Sequence, residues 1–179
     1  MSKVIYFVAS SLDGYIADAD GKLDWLHQYE TSGEDYGYKA FYDTLGAVVM
    51  GSKTYMDVVG FNLGWVYPGV ESVVMTRRSN LPLIEGSNAQ FRQGDVKAVV
   101  DDLKTRTDKH IWLVGGGDLA AQFLNAGILD ELQLAFMPIL LGGGAPLFPP
   151  LDGRFPLTMT ANRVYSTGVI TATYLVGKR

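Results

Sequence analysis

Short apolar runs alternate with amphipathic runs along most of this chain, and that alternation limits the fold more than any single motif does. Lys3 to Ala9, Ala47 to Gly51, Ser72 to Thr76, His110 to Val114 and Asp130 to Met137 read as strands. Residues around Tyr36 to Leu45, and the runs Ser52 to Val59, Asp95 to Thr107 and Asp118 to Ala126, read as helices. Strands separated by helices imply a mainly parallel sheet covered on both faces. The chain's end departs from this pattern: Leu157 to Tyr165 and Val169 to Val176 flank Ser166-Thr167-Gly168, which predicts an antiparallel hairpin closing the sheet.

With 179 residues, 47% of them hydrophobic, the chain suits one domain over residues 1–179 with a sizeable core. No segment reaches the roughly 20 apolar residues of a membrane span and no signal peptide opens it, so a cytoplasmic location is the expectation. The absence of cysteine excludes disulfides, thiolate metal sites and a cysteine nucleophile. His27 and His110 match no metal-ligand spacing, so no metal is expected. A net charge of −4 argues against a nucleic-acid surface, and any anion site must be local. Pro138 to Gly153 is rich in Pro and Gly, but Ile139, Leu140, Leu141, Leu147, Phe148 and Leu151 need burial, so it is not a linker.

Three such local sites stand at the ends of apolar runs. Val114-Gly115-Gly116-Gly117-Asp118-Leu119 joins a strand to a helix. Its glycines admit φ > 0 and a close anion, Asp118 suits the N-cap, and the helix N-terminus attracts phosphate. Met50-Gly51-Ser52-Lys53-Thr54 repeats the arrangement with hydroxyls and a cation, and lacks the spacing of an ATPase phosphate loop. Thr76-Arg77-Arg78-Ser79 offers guanidinium groups suited to a phosphate monoester. Parallel sheets bind ligands at the carboxyl ends of their strands, and these three sites together describe a diphosphate plus one further phosphate, as in NADPH.

In these segments, and in the opening Ala9-Ser10-Ser11-Leu12-Asp13-Gly14-Tyr15-Ile16-Ala17, the chain resembles the dihydrofolate reductase superfamily. It is most similar to the branch of the C-terminal reductase domain of the bifunctional riboflavin biosynthesis protein. Ser11-Leu12-Asp13-Gly14, Asp130-Glu131-Leu132, Pro138 and Leu141-Gly142-Gly143-Gly144 carry that closer likeness. The resemblance implies a three-layer α/β fold, bound NADPH and hydride transfer from nicotinamide C4 to a heterocyclic or imine-like small molecule. In the branch's reaction, 5-amino-6-(5-phosphoribosylamino)uracil becomes the ribitylamino compound. Ala9 and Ile16 are then expected to flank the nicotinamide. Gly51, Ser52, Lys53 and Thr54 would grip one side of the diphosphate and Val114 to Leu119 the other, with Thr76, Arg77 and Arg78 at the 2′-phosphate. The branch's zinc-dependent deaminase partner requires cysteines that this chain lacks.

Folate recognition looks degraded. Val70 stands where folate reductases place the arginine that grips the glutamate tail, and Ala135 and Ala120 replace a hydroxyl and a ring-stacking tyrosine. Two carboxylates are candidate proton sources. Asp35 falls at the position of the folate reductases' helix carboxylate, or else begins a solvated helix; Asp13 belongs to the Ser-x-Asp-Gly turn, where it can also satisfy backbone N–H groups. A bound water is the third source. Tyr42 and Trp65, with Trp25 and Phe148, are candidates to stack on a flat substrate or to pack in the core. A dihydrofolate reductase with unusual tail recognition and a non-catalytic nucleotide-binding module remain alternatives. A homodimer is expected through Ile139, Leu141 and Phe148, because dimers are common in the branch.

Overall fold

The computed structural model describes residues 2–178. Its strands are β1 (Val4–Ser11), β2 (Tyr15–Ala17), β3 (Leu45–Gly51), β4 (Glu71–Met75), β5 (Ala89–Arg92), β6 (His110–Gly115), β7 (Glu131–Met137), β8 (Ala145–Pro146), β9 (Leu157–Val164) and β10 (Ile170–Val176). Its helices are α1 (His27–Glu30), α2 (Tyr38–Tyr42), α3 (Ser52–Gly60), α4 (Val96–Lys104) and α5 (Gly117–Asn125). Eight strands form one sheet in the order β5-β4-β3-β6-β1-β7-β10-β9. Pairing is parallel from β5 through β7, and β10 and β9 add antiparallel. This is the mainly parallel mixed sheet with a C-terminal hairpin that the alternation implies.

Strand periodicity sorts the core into two layers. Successive side chains point to opposite faces, so Val4 and Tyr6, Ala47 and Val49, and Ile111 and Leu113 pack with α4 and α5. Their neighbours Ile5, Val48, Met50 and Trp112 pack with Phe41 of α2 and Tyr55 and Val58 of α3. Near-continuous apolar runs are what a sheet buried on both faces requires.

Four features differ from the sequence expectations. The helix expected around Tyr36 to Leu45 shrinks to Tyr38–Tyr42, because Tyr36 (φ 52°) and Gly37 (φ 86°) are left-handed, while Leu45 is already in β3. Strand β5 was not expected; Ala89-Gln90-Phe91-Arg92 is short and half polar, as an edge strand can be. Strands β2 and β8 pair as a separate two-stranded ribbon. The apolar Pro138 to Leu151 segment is largely consumed by its own fold: Leu147 is buried, Phe148 packs edge-on to Tyr6, and Ile139 packs near Met137. Leu140, expected to need burial, is instead 69% exposed, and further exposed apolar side chains lie on β9 and β10, at Leu157, Met159, Val164, Ile170 and Leu175.

Candidate active site

A cleft of about 1110 Å³ runs along the carboxyl ends of five neighbouring strands. Across the edge, Gln93 and Gly94 follow β5, Thr76 and Arg77 follow β4, Gly51 ends β3, Gly116 follows β6, and Ala9 lies near the end of β1. At roughly 4.8 Å between strands, that row is roughly 20 Å long, the scale of an extended dinucleotide. It combines residues that are distant in sequence only because β6 sits between β3 and β1.

Two helices open onto this row. The N-cap of α3 is Gly51 and that of α5 is Gly116, and neither receives a side-chain cap. By contrast, α4 is capped by Asp95, whose carboxylate accepts from the Lys97 N–H. First-turn N–H groups of α3 and α5 are therefore left for an anion, with the positive dipole ends behind them. Asp118 does not form the N-cap; the helix starts one residue before it, and Asp118 lies exposed in the first turn.

The three glycines divide the work. Gly115 alone has the left-handed value, φ 131°, and the peptide joining it to Gly116 is cis. Gly116 is extended, and a methyl group added there would come within 3.8 Å of Thr54 Oγ1 and 3.9 Å of Ile16 Cδ1, so it faces the cleft. At Gly117 a methyl group would strike the Pro146 carbonyl oxygen at 2.5 Å; this glycine lets the ribbon pack on the helix.

Of the residues expected to hold a nucleotide, Ala9, Ile16, Gly51, Ser52, Lys53, Thr54, Thr76, Arg77, Val114, Gly116, Gly117, Asp118 and Leu119 line the cleft. Gly115 shapes the turn behind it, and exposed Arg78 lies outside the lining. The Arg78 N–H donates to Thr76 Oγ1 at 2.9 Å, which folds the loop after β4 and leaves the threonine hydroxyl proton free. Lys53 and Arg77 are the cations of the lining, and no described carboxylate forms an ion pair with either. Uncapped helix ends, hydroxyls and two free cations are the donor set a diphosphate with a further phosphate needs, and the residues present fit it.

The expected proton sources and stacking residues lie elsewhere. Asp13 accepts from Ser11 Oγ at 2.6 Å and from the Leu141 and Gly142 N–H groups at 3.1 and 2.8 Å. The Ser11 hydroxyl, with these N–H groups, holds its carboxyl below the usual aspartate range. It clips the β1–β2 turn to the Leu141-Gly142 turn. Asp35 accepts from the N–H groups of Gly37 (2.9 Å) and Lys39 (3.2 Å), which lower its pKa and start α2. Neither carboxylate lines the cleft. The Tyr42 hydroxyl donates to the Pro68 carbonyl, and burial pushes its pKa up to about 12. Trp65 donates to the Tyr67 carbonyl and packs on Tyr55 and Tyr67; both it and Tyr42 stand behind the cleft wall.

Residues not singled out from sequence make the other end of the cleft. Phe7, Tyr38, Tyr67 and Trp112 line it as one aromatic cluster, with Tyr67 and Trp112 rings 5.5 Å apart and Tyr38 and Trp112 rings 5.9 Å apart. Trp112 Nε1 donates to the Phe7 carbonyl at 2.9 Å, fixing the indole. Helix α3 adds Asp57 and Val58 to the lining, and its C-cap residue Phe61 follows. Asp57 is partly buried, and that burial raises its carboxyl pKa while Lys53, one turn earlier, opposes the rise. The i, i+4 spacing from Lys53 was the available signal for Asp57.

The family model of the RibD C-terminal domain matches residues 2–171, and the chain belongs to that family. The protein YwjB of Bacillus subtilis (strain 168) is 30% identical over 93% of this chain and 94% of its own length. Among solved structures, a putative riboflavin biosynthesis protein from Shewanella sp. PV-4 is 30% identical, covers 99% of this chain and 100% of its own, and superposes with a TM-score of 0.89. A dihydrofolate reductase from Enterococcus faecalis shares the fold at 18% identity, with a TM-score of 0.68 over 98% of this chain and 97% of its own.

Proposed function

We propose that this member of the RibD C-terminal domain family is an NADPH-dependent reductase of the riboflavin biosynthesis type, acting on a small heterocyclic or imine-like substrate. The observation that carries the reading is the pair of uncapped helix N-termini opening onto the same cleft as Lys53 and Arg77, with an aromatic chamber at its far end. On this reading Ser52, Lys53 and Thr54 hold one side of the diphosphate, and Gly116, Gly117 and Leu119 the other. Thr76 and Arg77 take the 2′-phosphate through charge-assisted hydrogen bonds. Ala9 and Ile16 border the nicotinamide. When bound, NADPH supplies the hydride. The protein aligns the substrate plane against Trp112, Tyr38 and Phe7, excludes water, and keeps the reacting pair in register.

Calorimetric titration with NADPH and NADH tests this directly. NADPH is expected to bind roughly tenfold or more tightly, since only it offers Arg77 a phosphate. Equal affinities would remove the 2′-phosphate assignment, and binding of neither would remove the reductase reading. A homodimer is part of the proposal, supported by β9, an edge strand whose eight residues are all exposed. Light scattering checks it: a dimer that Val164→Asp converts to monomer supports that edge as the contact, and a monomeric wild type refutes it.

A further inference from the structure

The cleft carries both signs of charge, with carboxylates from Glu30 of α1, Asp57 of α3 and Asp118 in the first turn of α5. Its cations, Lys53 and Arg77, stand at the row of strand ends and helix N-termini. Helix α3 presents Lys53, Thr54, Asp57 and Val58 to the cleft, the i, i+1, i+4, i+5 stripe of one helical face, and its C-cap residue Phe61 lines the cleft beyond them. Asp57 therefore lies roughly 6 Å further along the axis than Lys53, at 1.5 Å per residue, away from the anion cradle. Its neighbour Val58 shares a buried cluster with Trp112 and Tyr67, and Asp57 lines the same cleft as those rings. Among the described residues Lys53 and Arg77 are the only lysine and arginine of the cleft lining. Aromatic walls suit a flat ring, and a carboxylate at its edge accepts N–H groups but repels phosphate.

We propose that the aromatic end of the cleft takes a flat nitrogen heterocycle that presents N–H donors to Asp57 and carries no phosphate, and that Asp57 is the specificity-determining residue. This rests on the reductase reading for which end holds the cofactor, and it separates this chain from the phosphoribosyl substrate of the branch's reaction. Burial raises the Asp57 pKa, as expected for a carboxyl waiting in an apolar wall for a partner.

The test titrates the full chain at neutral pH with 2,4-diaminopyrimidine, with unsubstituted pyrimidine, and with NADPH, following heat and tryptophan fluorescence. Diaminopyrimidine is expected to bind roughly tenfold or more tightly than pyrimidine, and Asp57→Asn to abolish that difference while NADPH affinity is held or rises. Asp57→Ser repeats the measurement if the amide disturbs α3. A preference absent from the wild type, or surviving both substitutions, overturns the proposal. So does ribose 5-phosphate displacing diaminopyrimidine. If NADPH fails to bind while the Asp57-dependent preference holds, the reductase reading falls and the Asp57 assignment stands.

Discussion

The two ends of the cleft are built from different materials. The end proposed for the anion is mostly backbone: the first turns of α3 and α5, a glycine turn, and a loop folded by Thr76. The aromatic end is mostly side chains drawn from β1, β6, α2, α3 and the loop before β4, each touching the others only after the sheet has formed. Backbone sites depend on local geometry and tolerate change around them. Side-chain sites depend on the whole core, so binding and stability are coupled there.

Substitutions at the two ends should separate accordingly. The largest effect is expected for Trp112→Ala. It removes a buried indole, its bond to the Phe7 carbonyl and the centre of the aromatic wall, at a cost of about 3–5 kcal/mol in urea unfolding. A loss below about 1 kcal/mol would show that the chamber is not part of the core. At the anion end, Arg77→Ala should weaken NADPH roughly tenfold to a hundredfold, leave NADH and diaminopyrimidine unchanged, and barely move stability. Arg78→Ala, outside the lining, should do much less; equal effects of the two would place the 2′-phosphate between them.

The smallest effects sharpen the contrast by their sign. Asp13 has a folded-state pKa below the unfolded value of about 3.9, so its contribution is present above that value and lost as pH falls through the folded pKa. Asp13→Asn should therefore lower the thermal midpoint at neutral pH and flatten its acid-side fall. Asp57 is raised, so its contribution is complete below about 3.9 and is lost as pH rises through the folded pKa. Asp57→Asn should raise the midpoint at neutral pH, the behaviour of a residue kept for binding rather than folding. Unfolding scans of both variants at pH 7 and in acid read the two signs, and a shared sign would erase the distinction between clip and site.

Most of the fold and half of the candidate cleft's lining were legible because they follow local rules. The periods of Val4 to Ala9, Val48 to Met50 and Ile111 to Val114 mark strands, and glycine with hydroxyl residues after them marks a helix start with free N–H groups. Asp35 was legible as a helix start, and its partners Gly37 and Lys39 are near neighbours; Asp13 was legible as a turn carboxylate, but not all of its partners were. Asp13 bonds to Leu141 and Gly142, more than a hundred positions away.

By itself, then, the sequence determined the alternating strands and helices, the closing hairpin, and the glycine and hydroxyl turns at the ends of β3, β4 and β6 where the anion is proposed to bind, because each is written in neighbouring residues. Only the tertiary structure decided that Phe7, Tyr38, Tyr67 and Trp112 form one wall with Asp57 beside it, and that Trp65 and Tyr42 stand behind it. Which side chains meet across a sheet depends on strand order and helix placement, and those are set by burying the whole apolar surface at once.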